Sequence, residues 1–410
     1  MKKLLIALLI VGLAVIAALS FGGDKLLADP IQIPEKTDSP SWLPASAGST
    51  ASDQPEEETP YVYTETDYAA IYALHDPDEV VMTIDGREIT WQDYFYAFYG
   101  QASSLEQDFQ MYQYYGYALG WESQADAEGH TYAEIVGDMC LQNLRRIITA
   151  EAVAEENGVS LLPEEEAAVQ DEHQETIVYF CGEDGTEEEL LRFLEEERYL
   201  RPELYWRIMR FSATTQAVSR TLYGSEGENL SDQQVVDWMA EQGVLSADHI
   251  LISTIDPETY QPMGEEAVAE KEALALQIAA ELQAIEDPEA REARFQELKA
   301  EYGEDPDAAE GYVFAPDIMV PEFYDGTLAL EEGQISDPIR TDYGFHIVLR
   351  RPLRAEDTII TASGELDARS LMVQTLFNQL MQERYDAQVV EFAPGFEVPN
   401  VLDYQISVTA

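Results

Sequence analysis

The sequence predicts an α+β protein, a mainly α-helical region beside a segment, 246–352, whose elements run β-α-α-β-α-β-β. Three observations carry that prediction. Helix-opening pairs recur at Thr90…Asp93, Thr131…Glu134, Thr186…Glu189 and Ser231…Gln234, each a hydroxyl followed three positions on by an acid or amide. "SADHILIST" and "GFHIVLR" alternate in strand fashion. Between them, Leu274, Ile278, Leu282 and Ile285, then Phe295, Leu298 and Tyr302, fall at helical spacing.

Charge excludes whole classes of partner. The chain has 410 residues with 23 Lys+Arg against 80 Asp+Glu, a formal net charge of -57. Such a surface repels phosphate backbones, so no nucleic-acid partner is expected. Hydrophobic residues nevertheless reach 46% and aromatics 10%, so most of the chain folds. The length suffices for two or three domains.

Residues 1–23 form a signal peptide or an N-terminal membrane anchor. Lys2 and Lys3 precede an uncharged run from Leu4 to Gly23, long enough to span a bilayer as a helix. The lysines would stay inside, placing everything from Asp24 onward outside the cell membrane. Ala18-Leu19-Ser20 offers a small-x-small cleavage site, which leaves both a retained anchor and a secreted form open. Residues 24–65 are rich in Pro, Ser, Ala and acid and read as a flexible stalk.

Residues 66–245 read as the helical domain. "VVMTIDGREIT" opens it as a hairpin around Asp85-Gly86, and Pro163 suits the first turn of a helix. The stretch 94–121 concentrates aromatics; it is either helix core plus interface or an apolar cradle for unfolded chain. Cys140 and Cys181 are either a disulfide or two free thiols. No Cys/His cluster, HExxH, EF-hand loop, phosphate loop or GxSxG occurs, so no metal and no cofactor is expected.

Within 246–352, alternation puts His249 and Leu251 on one strand face and Ile250 and Ile252 on the other. In the last strand His346, Val348 and Arg350 share a face, opposite Phe345, Ile347 and Leu349. A lone histidine on a strand is ordinarily a core or surface group. Two of them, in the first and last strands of one small unit, ask for a reason. Residues 364–389, "GELDARSLMVQTLFNQLMQERYDAQV", read as a helix within a C-terminal segment, 353–410. The spacing of Met372, Leu376 and Leu380 suits docking back onto the helical domain.

The words "DHILI", "FQELKAEYGED", "GYVFAPDIMVPEF" and "LEEGQISDPIRTDYGFHIVL" resemble the parvulin family of peptidyl-prolyl cis/trans isomerases. The flanking helices, with "VVMTIDGREITWQDY" and the C-terminal helix, resemble the chaperone part of PrsA- and SurA-type extracellular foldases. The resemblance implies an isomerase and chaperone for unfolded or partly folded exported proteins with X-Pro bonds, or a holdase that binds them without isomerising.

It also implies site residues. His249 and His346 would form a pair beneath the bound prolyl peptide, with Thr341, five residues before the second histidine, tying the network. Asp305 falls where the family carries a cysteine or aspartate; Glu304 and Asp307 are alternatives, because the segment before Phe314 is shortened to "DAAEGYVF". Met319 and Phe323, about one helical turn apart, would line the proline pocket, with Phe314 closing its side. The loop after "HILIST" lacks Lys and Arg, so no preference for phosphorylated substrates is expected.

Overall fold

The computed structural model describes residues 62–115, 117–306 and 311–409. The apolar run Leu4–Gly23, most of the stalk, and Asp307 lie outside them. Among the described residues no helix is long and apolar enough to cross a membrane. In chain order the elements are β1 (Val62–Thr66), α1 (Tyr68–Tyr72), β2 (Val80–Ile84), β3 (Arg87–Thr90), α2 (Trp91–Tyr114), α3 (Tyr132–Glu156), α4 (Pro163–Cys181), α5 (Glu187–Arg198), α6 (Pro202–Tyr223) and α7 (Asp232–Glu241). There follow β4 (Leu245–Ser253), α8 (Glu265–Gln283), α9 (Pro288–Tyr302), β5 (Tyr312–Phe314), α10 (Pro321–Leu328), β6 (Ile339–Arg340), β7 (Gly344–Arg351), β8 (Thr358–Thr361) and β9 (Gly364–Asp367). Last come α11 (Ala368–Asp386), β10 (Val390–Phe392) and β11 (Gln405–Thr409).

The chain divides into two compact units. One takes the residues up to Thr221 together with Phe377 onward; the other is Leu222–Leu376. The second is wider than 246–352 at both ends. A core of Leu230, Val235, Trp238 and Met239 closes on Ala355, Ile359, Ala368 and Met372, so α7, β8 and the start of α11 belong to it.

In the first unit, Asp85 and Gly86 both take positive φ, 52° and 73°, the geometry a two-residue hairpin turn needs. Thr90 then caps α2 by accepting from the Asp93 N–H. The aromatic run in α2 is core: Tyr94, Phe95, Tyr96 and Phe98 are buried, as are Phe109 and Trp121. Each of these buried rings contributes ~1.5–3 kcal/mol to folding. Met111 and Tyr115 of that stretch stay exposed. Both cysteines are free thiols, Cys140 buried and donating to the Gly137 carbonyl.

Two long-range pairings complete this unit, β10 beside β2 and β11 beside β1. The expected helix over 364–389 starts later than the sequence suggested. Gly364–Asp367 pairs with Thr358–Thr361 as a hairpin, and the helix begins at Ala368. Gly364, at φ 115°, permits the reversal.

The second unit is built on a six-stranded sheet ordered β6-β7-β4-β5-β8-β9. Its centre is the antiparallel pair β4 and β7, in which His249 faces Val348 and Leu251 faces His346. One face packs on α8 and α9 through Ile250, Ile252, Phe345, Ile347 and Leu349, against Ile278, Leu282, Phe295 and Leu298. The other face carries both histidines and meets α10. Gly326 of α10 lies so close to Ile339 that a Cβ there would sit 2.4 Å from its Cδ1, which lets the short helix seat on the strand.

Candidate active site

The β4–β7 register sets the site. Directly opposed residues share a face, so His249 and His346 lie diagonally across adjacent strands. Their ring centroids are 5.1 Å apart and nearly perpendicular, at 73°. Phe323, reaching down from α10, stands 5.2 Å from each ring, at 76° and 73°. The three rings form one buried triangle, with His249, His346 and Phe323 at 3%, 6% and 3% exposure.

Thr341 sits in the turn between β6 and β7. Its Oγ1 lies 2.9 Å from His346 Nε2 and accepts the Tyr343 N–H at 3.1 Å. The hydroxyl is thus oriented before it meets the imidazole. Burial, and then the neighbouring His249, push the His346 pKa down to about 3 against the smaller opposing pull of Asp305. His346 is therefore neutral at any ordinary pH.

Asp305 follows α9. Its Oδ2 is 3.1 Å from His249 Nε2, in a direction that does not make a hydrogen bond. Glu304, one of the alternatives to it, does a different job. Its N–H donates to Leu251 O at 3.0 Å, and its carboxylate accepts from Ser253 N–H at 2.7 Å and from Lys271 Nζ at 2.9 Å. Glu304 thereby fastens the loop to β4 while Asp305 turns toward His249.

The hydrophobic residues expected to line a pocket are placed differently from one another. Phe314 has no exposed surface and packs 5.8 Å from Phe323, so it backs that ring and lines nothing itself. Met319 precedes α10, whose first residue is Pro321, so it is not one turn of helix from Phe323. It is half-buried against the same cluster as Phe314 and Phe323.

Beside the triangle lies a cleft of ≈ 350 Å³, lined by His249, Leu251, Gln296, Lys299, Asp305 and Pro306 among others. Sequence reasoning missed Gln296 and Lys299. Both reach Asp248, which is wholly buried and also accepts from His249 N–H and pairs with Arg351. It missed Tyr312 too, whose hydroxyl donates to Asp305 Oδ2 at 3.1 Å. The position of Tyr312 in "GYVF", on the face shared with Phe314, was the available signal. Among the described residues no group of three or more His, Cys, Asp or Glu side chains could hold a metal ion.

Residues 249–351 match the family described as Rotamase: PPIC-type PPIASE domain. A Chaperone SurA from Shewanella sp. (strain MR-4) is 38% identical over 111 residues, 25% of this chain and 26% of that protein. A Foldase protein PrsA from Geobacillus sp. (strain WCH70) is 44% identical over 59 residues, 13% of this chain and 21% of that one. The chain thus spans about a quarter of the length of these relatives. A crystal structure of the peptidylprolyl isomerase PrsA from Bacillus cereus aligns with 65% of this chain and 87% of its own at 19% identity. The TM-score of that alignment is 0.25.

Proposed function

We propose that the chain, whose residues 249–351 are a parvulin domain of the PPIC class, is a peptidyl-prolyl cis/trans isomerase and chaperone for exported proteins. Its clients in this reading are unfolded or partly folded chains with X-Pro bonds. It works outside the cytoplasmic membrane, tethered through Leu4–Gly23 or released by cleavage.

The observation that supports the reading most is the buried triangle of His249, His346 and Phe323, tied by Thr341. Amide rotation crosses ~18–20 kcal/mol because it breaks resonance, and it needs no nucleophile. Each ~1.4 kcal/mol taken from that barrier is tenfold in rate. A rigid floor with a half-buried methionine at its rim grips the prolyl ring and binds the twisted amide better than either planar form. The neutral His346 imidazole suits that task, since a buried imidazolium would bind solvent or carboxylate instead. The Asp305 carboxylate biases the field near the rotating carbonyl.

The test is isomerisation of an Ala-Pro peptide by the full chain. The cis-to-trans relaxation rate is expected to rise in proportion to chain concentration. A rate equal to the uncatalysed one, tens to hundreds of seconds per event, at every concentration would overturn the enzyme reading. Retained suppression of client aggregation would then leave a holdase.

A further inference from the structure

We propose that Tyr312 is a positioning residue, which holds the Asp305 carboxylate beside His249 and the rim of the cleft. For its kinetic consequence the proposal rests on the isomerase reading above; for its spectroscopic consequence it rests on geometry alone.

Asp305 is held from two directions. On the loop side, Glu304 is fastened to β4 through the Leu251 carbonyl and the Ser253 N–H. On the other side, Tyr312 sits on β5 opposite Ala247, with its ring 5.7 Å from His249 at 33°. Its hydroxyl donates to Asp305 Oδ2 at 3.1 Å, and that same oxygen stands 3.1 Å from His249 Nε2. One carboxylate oxygen therefore accepts from the phenol while standing beside the imidazole nitrogen without a hydrogen bond to it.

The Asp305 side chain is only 22% exposed, so its charge acts on the cleft beside His249 through little solvent. The Tyr312 donor fixes where that charge sits. Among the described residues, His346 on β7, Phe323 on α10, and Gln296 and Lys299 across the cleft on α9 also face His249. Gln296 and Lys299 are both engaged by Asp248.

The phenol is also what stands in the shortened segment "DAAEGYVF". A side chain there stands beside His249 and donates to the Asp305 carboxylate. Misplacement by about 1 Å in such a site is worth as much as a hundredfold in rate.

The experiment compares the full chain with Tyr312→Phe, Asp305→Asn and the double variant. The Asp305 side-chain carboxyl carbon is followed by NMR at fixed pH, since it senses the phenol donor, and kcat and KM are measured on an Ala-Pro peptide. Tyr312→Phe should move that carboxyl signal and lower kcat roughly three- to tenfold with KM little changed. In the Asp305→Asn background, Tyr312→Phe should add nothing to the loss of kcat. An unmoved carboxyl signal in Tyr312→Phe, or an equal loss of kcat with and without Asp305, overturns the proposal. Should Tyr312→Phe not fold, an unchanged kcat in Asp305→Asn overturns it as well. If the parent chain isomerises nothing, the isomerase reading falls, and the carboxyl signal still decides whether Tyr312 holds Asp305.

Discussion

The two faces of the β4–β7 pair are made by the same strands in alternation, and they treat buried polarity in opposite ways. The face toward α8 and α9 is mostly apolar, and its buried carboxylate, Asp248, is engaged by Lys299, Gln296, Arg351 and the His249 N–H. The face toward α10 buries Nδ1 and Nε2 of His249, Nδ1 of His346, and Nε and Nη1 of Arg350 without a hydrogen-bond partner among the described residues. Unpartnered buried polar atoms cost ~1–3 kcal/mol each and are rare in folded proteins. One face of this sheet serves stability. The other gives some of it up, which is the expected signature of a working surface.

That contrast can be broken most forcefully from the helix side. Phe295 is wholly buried between α9 and the sheet, and Phe295→Ala should cost ~3–5 kcal/mol by loss of burial and the cavity left behind. Thermal or denaturant melts of the full chain would show it as an early transition of the second unit. A variant that melts like the parent would mean that this face does not hold the unit together.

The histidine side should respond in the reverse sense. With the folded pKa of His346 at about 3 and the ordinary value at 6.5, the unfolded chain binds the extra proton between those limits. This contribution to stability is full above pH 6.5 and declines toward pH 3, by about 1.4 kcal/mol for each pH unit within the window. His346→Leu should flatten that part of the stability profile and melt no lower than the parent at pH 7, while kcat/KM on an Ala-Pro peptide drops roughly tenfold. Equal pH profiles for the two proteins would show that His346 is not held neutral by burial.

Smaller effects sharpen the picture. Thr341→Val removes the acceptor of the Tyr343 N–H and the partner of His346 Nε2, and should destabilise by ~1–3 kcal/mol. Thr341→Ser, which keeps the hydroxyl, should recover most of that in the same melts. The smallest change belongs to Glu258→Ala, in the exposed loop after β4, which should alter stability by less than about 0.5 kcal/mol and leave isomerisation unchanged. A clear rate change in that variant would place the loop in the site.

Much of this fold is legible in the amino-acid sequence. The capping pairs placed helix starts at residues 91, 132, 187 and 232, because a hydroxyl, an acid and an N–H within one turn make a local decision. Asp85-Gly86 marked a hairpin for the same reason: positive φ is a property of the residues themselves. Resemblance to the parvulins pointed to the two histidines and Thr341, which the fold brings to one place. Other expectations fail against the tertiary structure. The spacing of Met319 and Phe323 suggested one helix face, but Pro321 opens the helix between them. For the aromatics of α2 the sequence favoured core over cradle without settling which rings are covered, since composition does not name their neighbours; Tyr94, Phe95, Tyr96, Phe98 and Phe109 are buried.

What the sequence by itself determined was periodicity: which residues share a strand face, where helices begin, and that His249 and His346 would each lie opposite an isoleucine-rich face. The tertiary structure decided register and closure. Only the pairing of Leu251 with His346 sets the two imidazoles diagonally at 5.1 Å; a one-residue slip of β7 would turn His346 to the helix face. Likewise, only the return of β5 beside β4 brings the Tyr312 hydroxyl to Asp305. Propensity and capping act over a single turn of chain, whereas these contacts join segments far apart in sequence. Their geometry follows from how whole elements pack, and no short window of residues encodes it.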